Sequence, residues 1–238
     1  MEVVLLGTLV NGVCIIGGTL AGRLLKNIPD RMKESVMFAI GLAVTVLGLQ
    51  MGFSSESYLI VILSLVIGAA AGEWLNLDEK LNMIGSWIDG KMKRSDSSIS
   101  QGFITATLIF VIGAMAVIGS LDSGIRNDHD VLYTKAIIDG FTSTILASTL
   151  GIGVIFSSIP VVIYQGSIAL FATQINNWVP SKLMDSLIGE MTAVGGIMIF
   201  AIGLNLLGLT KIRVANLLPG LLVTIVLVSI VYYFAIPV

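Results

Sequence analysis

Asp139 stands where a charge is costly. It falls in the run KAIIDGFTSTILASTLGIG, in which Lys135 is the only other charged residue. An ionisable group in such a stretch needs a reason to be there. On a helix Asp139 and Ser143 share one face, with Thr142 beside them. A carboxylate flanked by hydroxyls can take a proton or a sodium ion. Lys135, four residues earlier, offers a plainer role, an ion pair near a helix end. Glu190, in SLIGEMTAVGG, is a second acid about one turn inside another apolar segment. If it lies near Asp139, the two can share a proton or a cation, because two close carboxylates do not both ionise readily. Standing alone, it stabilises a helix N-terminus. A third group is four amides in apolar surroundings: Asn11, Gln50, Gln165 and Asn205. Amides both donate and accept, so they can line the path of a polar solute. They can equally tie helices together, at about 0.6–2 kcal/mol each.

Other chemistries find no support in the sequence. It has no HExxH, GxSxG or Walker A pattern. His129 is the single histidine and sits in LDSGIRNDHD, which reads as a solvated loop, not a metal site. Cys14 has no second cysteine to pair with. No basic stripe with interleaved aromatics is present, which argues against nucleic acid as a partner. No metal, cofactor or enzymatic activity is expected. The one enzymatic reading, Asp139 and Glu190 as an acid/base pair, requires the two carboxyls to lie within a few ångströms of each other.

The elements that must position these residues are apolar and long. Only 12% of the 238 residues are charged and 55% are hydrophobic, with a mean hydropathy of +0.97. A segment of about 20 apolar residues spans the roughly 30 Å core of a bilayer as a helix. The pattern predicts an all-α polytopic membrane protein of about eight transmembrane helices, near 3–22, 35–52, 58–75, 102–119, 134–157, 160–176, 186–209 and 214–236. The first of these carries Glu2 ahead of it and Arg23 and Lys26 behind it, unlike a cleavable signal peptide. Basic residues gather in the first, third and seventh connections (Arg23, Lys26, Arg31 and Lys33; Lys80, Lys91, Lys93 and Arg94; Lys211 and Arg213). The positive-inside rule then places the odd connections in the cytoplasm and both termini outside. The fifth connection is uncharged, and a shallow or re-entrant hairpin is the alternative reading of segments 5 and 6.

The chain also repeats itself. NIPDRMKESV at 27–36 resembles WVPSKLMDSL at 178–187, Asn11-Gly12 matches Gln165-Gly166, and LGLQ at 47–50 matches IGLN at 202–205. Segments 1–3 therefore resemble segments 6–8, and the topology makes the two sets inverted, with segments 4 and 5 between them. Inverted repeats are common in secondary transporters, with the site between the repeats. The expected organisation is one membrane domain over 1–238: repeat A at 1–75, a cytoplasmic interfacial helix and linker at 76–101, central helices at 102–157, and repeat B at 160–238. Leu77, Leu81, Ile84, Trp87 and Ile88 give the 76–101 stretch its apolar face. Gly18/Gly22 and Gly68/Gly72 suit close helix packing, and Glu73 reads as an interfacial residue at a helix end.

Long runs such as FVIGAMAVIGSLDSG, KAIIDGFTSTILASTLGIGVIFSSIPVVIYQGS, GEMTAVGGIMIFAIGLNLLGL and KIRVANLLPGLL resemble the YdfK/YqgA-like bacterial membrane proteins, domain of unknown function 554. The resemblance covers essentially the whole chain. It implies a bacterial cytoplasmic membrane protein and carries no activity or catalytic residues with it. The residues themselves suggest a transporter or channel for a small polar solute or monovalent cation, coupled to protons or sodium through Asp139 and Glu190. Asn11, Gln50, Thr142, Ser143, Gln165 and Asn205 would line its path. The bilayer would be its surroundings and a second copy its partner in a homodimer. The alternative is a non-transporting scaffold or accessory protein acting through helix–helix contacts.

Overall fold

A computed structural model describes residues 4–24, 30–80, 83 and 98–234. All regular structure among them is helical: α1 (Leu6–Leu24), α2 (Asp30–Gly52), α3 (Tyr58–Leu75), α4 (Ser98–Val111), α5 (Ala114–Arg126), α6 (Asp130–Leu150), α7 (Ser158–Leu170), α8 (Ala172–Trp178), α9 (Ser181–Leu206) and α10 (Pro219–Phe234), with 3-10 turns at Gly151–Ser157 and Val214–Leu217. Most of the expected interfacial helix at 76–101 lies outside the described residues. Its last residues, Ser98 onward, belong to α4 and not to a linker.

Among the described residues, five stretches are long and apolar enough to cross a membrane: Leu6–Leu24, Tyr58–Leu75, Asp130–Leu170, Ser181–Leu206 and Val214–Phe234. The difference from eight arises in three places. The apolar part of α2, Met37–Gly52, is shorter than a full span. The fourth expected segment is two helices, α4 and α5, bent by 60°; taken together they make a sixth candidate. Gly113 sits at the break with φ 137°, a conformation that residues with a Cβ rarely adopt. Asp130–Leu170 passes the length test as one stretch, but it is made of α6, the turn Gly151–Ser157 and α7, the two segments that the sequence suggests.

Two helices turn polar groups inward and apolar groups outward. On α1, Thr8, Asn11 and Thr19 are fully buried, whereas Leu9, Val13, Ile16 and Leu20 are exposed. On α6, Lys135, Asp139 and Ser143 are buried, whereas Ile137, Ile138 and Phe141 are exposed. Water would drive the opposite arrangement. Lipid accepts it, because apolar tails cover the outer face while polar groups find partners within the protein.

The chain forms two compact units that alternate along the sequence: Met1–Met37 with Met83–Trp178, and Phe38–Asn82 with Val179–Val238. In the first unit, α1 lies along α6 with backbones in contact. A Cβ at Gly18 would collide with the Gly140 carbonyl, and one at Gly22 with the Thr144 carbonyl. The two helices run in the same direction, since Gly7 meets Leu132 and Gly22 meets Ala147. Against α7 the numbering runs the other way: Gly12 meets Val162, and Gly166 faces Leu5. The chain therefore reverses across Gly151–Ser157, and α6 and α7 embrace α1. The start of α4 packs on that reversal, with Ile99 against Gly153 and Gly102 against Leu150.

In the second unit, α2 and α9 pack antiparallel through small residues. Gly41 meets Leu207, Gly203 meets Thr45, and Gly196 meets Met51 and Gly52. The helix α3 packs likewise on α10, with Gly68 against Gly220, and on the 3-10 turn before it, with Gly72 against Asn216. Asn216 also accepts the backbone N–H of Asp78 at 2.7 Å. Glu73, at the end of α3, pairs with Arg213 at 3.0 Å.

Candidate functional site

The first unit holds a buried polar cluster built from α1, α6 and α7. Asn11 and Gln165 are fully buried, Asp139 is 3% exposed and Lys135 is 7% exposed. The i, i+4 spacing on α6 brings the Lys135 Nζ to 2.8 Å from the Asp139 Oδ2 and 3.0 Å from its Oδ1. From α1, the Asn11 Nδ2 donates to the Asp139 Oδ2 at 3.0 Å and to the Gln165 Oε1 at 3.2 Å. One amide thus links all three helices. It can do so because α1 has glycines where α6 approaches it and Gly12 where α7 crosses.

The cluster is not self-contained. The Asn11 Oδ1 and the Gln165 Nε2 are buried with no hydrogen-bond partner among the described residues, as are the hydroxyls of Thr8 and Ser143. Thr8 lies one turn before Asn11 on α1, and Ser143 one turn after Asp139 on α6. Most buried polar groups in proteins are paired, and leaving one unpaired costs about 1–3 kcal/mol. Here one ion pair of zero net charge sits among an unpaired carbonyl, an unpaired NH₂ and two unpaired hydroxyls. Such a set can hydrogen-bond a small polar molecule from both donor and acceptor sides. It offers no bare negative charge, because the Lys135 ammonium already sits on the carboxylate.

The remaining expected site residues go elsewhere. Thr142 is half-buried beside the cluster. Glu190 belongs to the second unit, where its carboxylate braces the α2–α3 connection. The Ser55 Oγ donates to its Oε2 at 2.7 Å, and the backbone N–H groups of Glu56 and Ser57 donate to its Oε1 at 2.9 and 3.1 Å. Each carboxylate thus has donors of its own unit. Asn205 secures the chain after α9: its Nδ2 donates to the Ile212 carbonyl at 2.8 Å, and its Oδ1 accepts from Thr210 and from the Ile212 N–H. Gln50 is exposed on α2. The amide quartet is therefore one buried pair, Asn11 with Gln165, one residue that ties down the chain after α9, and one exposed residue. Lys135 and Thr8 are the members absent from the expected site. Lys135 was legible from its spacing to Asp139; Thr8 is marked only by its place one turn from Asn11.

His129 is held by a short local network instead of lying free in a solvated loop. The Ser123 Oγ donates to the Val4 carbonyl at 2.7 Å and lies 2.8 Å from the His129 Nδ1. Its one proton being used, Ser123 accepts there, so the Nδ1 of His129 carries a hydrogen.

A chain with apolar faces outward, polar groups inward and five stretches long enough to cross a bilayer is a helical membrane protein. It belongs to the family described as "Protein of unknown function (DUF554)", whose model matches residues 6–229. It is 35% identical over 233 residues to the uncharacterized membrane protein YdfK of Bacillus subtilis (strain 168), covering 96% of this chain and 97% of that one. It is 27% identical over 223 residues to the uncharacterized protein YqgA of Escherichia coli (strain K12), covering 91% and 93%. No solved structure gives a significant match.

Proposed function

We propose that the protein is a transporter or channel for a small polar solute or ion in the bacterial cytoplasmic membrane, with Asn11, Lys135, Asp139 and Gln165 as its polar centre. The observation that carries this reading is the set of four buried, unpaired polar atoms around a neutral ion pair, inside helices whose outer faces are apolar. A scaffold has no use for donors and acceptors left open in its interior. A proton or sodium ion that couples to transport acts by displacing the Lys135 ammonium from Asp139.

The pairing of helices supports an inverted-repeat carrier. On the sequence repeat, α1, α2 and α3 correspond to α7, α9 and α10. Each packs antiparallel on its own counterpart within its unit, and the matched residues Asn11 and Gln165 hydrogen-bond to each other. In transporters of this architecture the site lies where the repeats meet. Both termini face the outside, and the protein performs no covalent chemistry.

The test is a thermal-stability screen of purified protein against Na⁺, K⁺, divalent cations, a pH series, amino acids, organic acids and nucleosides. A ligand of the folded state at a hundredfold excess over its Kd adds about 2.7 kcal/mol. We expect at least one stabilising solute, and its effect should vanish in Gln165→Met, which keeps the volume but removes the open donor. A flat panel for a well-folded protein would reassign the cluster to helix assembly and the protein to the scaffold class.

A further inference from the structure

The second unit carries a cavity that the proposed transport reading does not use. By fixing Ser55, Glu56 and Ser57, Glu190 turns the α2–α3 connection into one wall of a cavity of about 470 Å³. The first turns of α9 form a second wall and the last turns of α10 a third. The volume falls in the range of small-molecule sites.

Its lining has two parts. Ile60 and Val228 make an apolar base, continuous with Leu183 in the cluster that joins α3, α9 and α10. The exposed Glu56 and Asp185 stand at the rim against the single base Lys182, and the buried Glu190 carboxylate lies behind them in the wall, three negative charges and one positive, or −2 net. Glu56, Lys182 and Asp185 make no ion pair with one another, so the acidic excess is not neutralised within the wall. Tyr232 adds an aromatic ring beside the apolar base. The acids do not converge as metal ligands: among the described residues no three Asp, Glu, His or Cys side chains form a metal-holding group.

An apolar base, an aromatic ring and an anionic rim are complementary to one kind of occupant. The geometry points to a binding site for an organic amine, a primary ammonium on an apolar body of a few carbons. The body rests on Ile60, Val228 and the Tyr232 ring, and the ammonium meets the carboxylates and the ring face. A neutral isostere leaves the acids unpaired, and an anion is repelled by them. The same ammonium chemistry is offered by a free amine and by the headgroup of an ethanolamine phospholipid.

The experiment compares three isosteres, 2-phenylethylamine, 2-phenylethanol and phenylacetate, as stabilisers of the full chain in detergent. It is paired with nanodiscs of phosphatidylethanolamine or phosphatidylglycerol. We expect saturable stabilisation by the amine alone, weakened about two- to fivefold by Asp185→Asn and by Glu56→Gln, the range of exposed charge pairs. Both residues are exposed, so both variants should fold. Stabilisation by phosphatidylethanolamine over phosphatidylglycerol that is lost in the double variant, without a free-amine effect, would assign the site to the lipid headgroup. Equal effects of the three isosteres together with equal effects of the two lipids would overturn the proposal, as would an amine effect unchanged in the double variant.

Discussion

Replacing Asp139 by Asn removes one charge and keeps the shape. Asn11 retains an oxygen to donate to, but the buried Lys135 ammonium loses the carboxylate 2.8 Å away. At an effective dielectric of 20, two unit charges at that distance attract by about 6 kcal/mol. Much of this is offset by the cost of burying both, and removing one partner of a buried pair typically costs about 3–5 kcal/mol. For a chain of this size that corresponds to a fall in Tm on the order of 6–20 °C. The double variant Lys135→Met/Asp139→Asn leaves no unpaired charge and should recover at least about 2 kcal/mol relative to the sum of the single changes. Thermal unfolding of the four proteins in one detergent measures all sides of the cycle. A double variant less stable than Asp139→Asn, or a coupling under about 0.5 kcal/mol, would refute the reasoning, because it would mean the pair is not electrostatically closed. The cycle also frees the functional test from its main confounder. Loss of ligand binding in the single variant can reflect unfolding, whereas loss in a stable double variant cannot.

Gly18→Val places a branched side chain against the Gly140 carbonyl and should separate α1 from α6, lowering stability by about 2 kcal/mol or more; an unchanged Tm would mean that the two backbones do not touch. Glu190→Gln weakens the charged acceptor of Ser55, Glu56 and Ser57, costing about 1–3 kcal/mol, and protease sensitivity should rise at the α2–α3 connection before elsewhere. Asn205→Ala should cost about 1–2 kcal/mol while leaving any solute effect intact; loss of that effect would return Asn205 to the path. In a Cys14→Ala background, Ser54→Cys should react with a membrane-impermeant maleimide added to intact cells, and labelling only after lysis would reverse the orientation.

How much of this is legible in the sequence depends on the range of the interaction. Asp139 with Lys135 is a local i, i+4 relation, and the helix alone brings the two together. Asn11 with Gln165 spans 154 residues, and only the repeat linked them in the sequence. The same repeat paired Gln50 with Asn205, yet their environments differ: Asn205 stands near the end of α9, where the chain turns and its backbone groups need partners, and Gln50 faces outward. Hydropathy found the apolar segments but not their interruptions. FVIGAMAV reads as one uninterrupted span, and the break at Gly113 depends on a backbone angle that hydropathy does not register. The role of Glu190 depends on two backbone N–H groups of a distant connection, and backbone groups leave no mark in a residue pattern.

The shared direction of α1 and α6 has a consequence for synthesis. Asn11 is made 128 residues before Asp139. At about 5–20 residues per second, α1 waits roughly 6–26 s for its partner. Throughout that interval the groove between Gly18 and Gly22 is open and Thr8, Asn11 and Thr19 face no finished neighbour. The packing of α1 is thus completed long after α1 itself is made, and its polar side lacks these partners until the second half of the unit arrives.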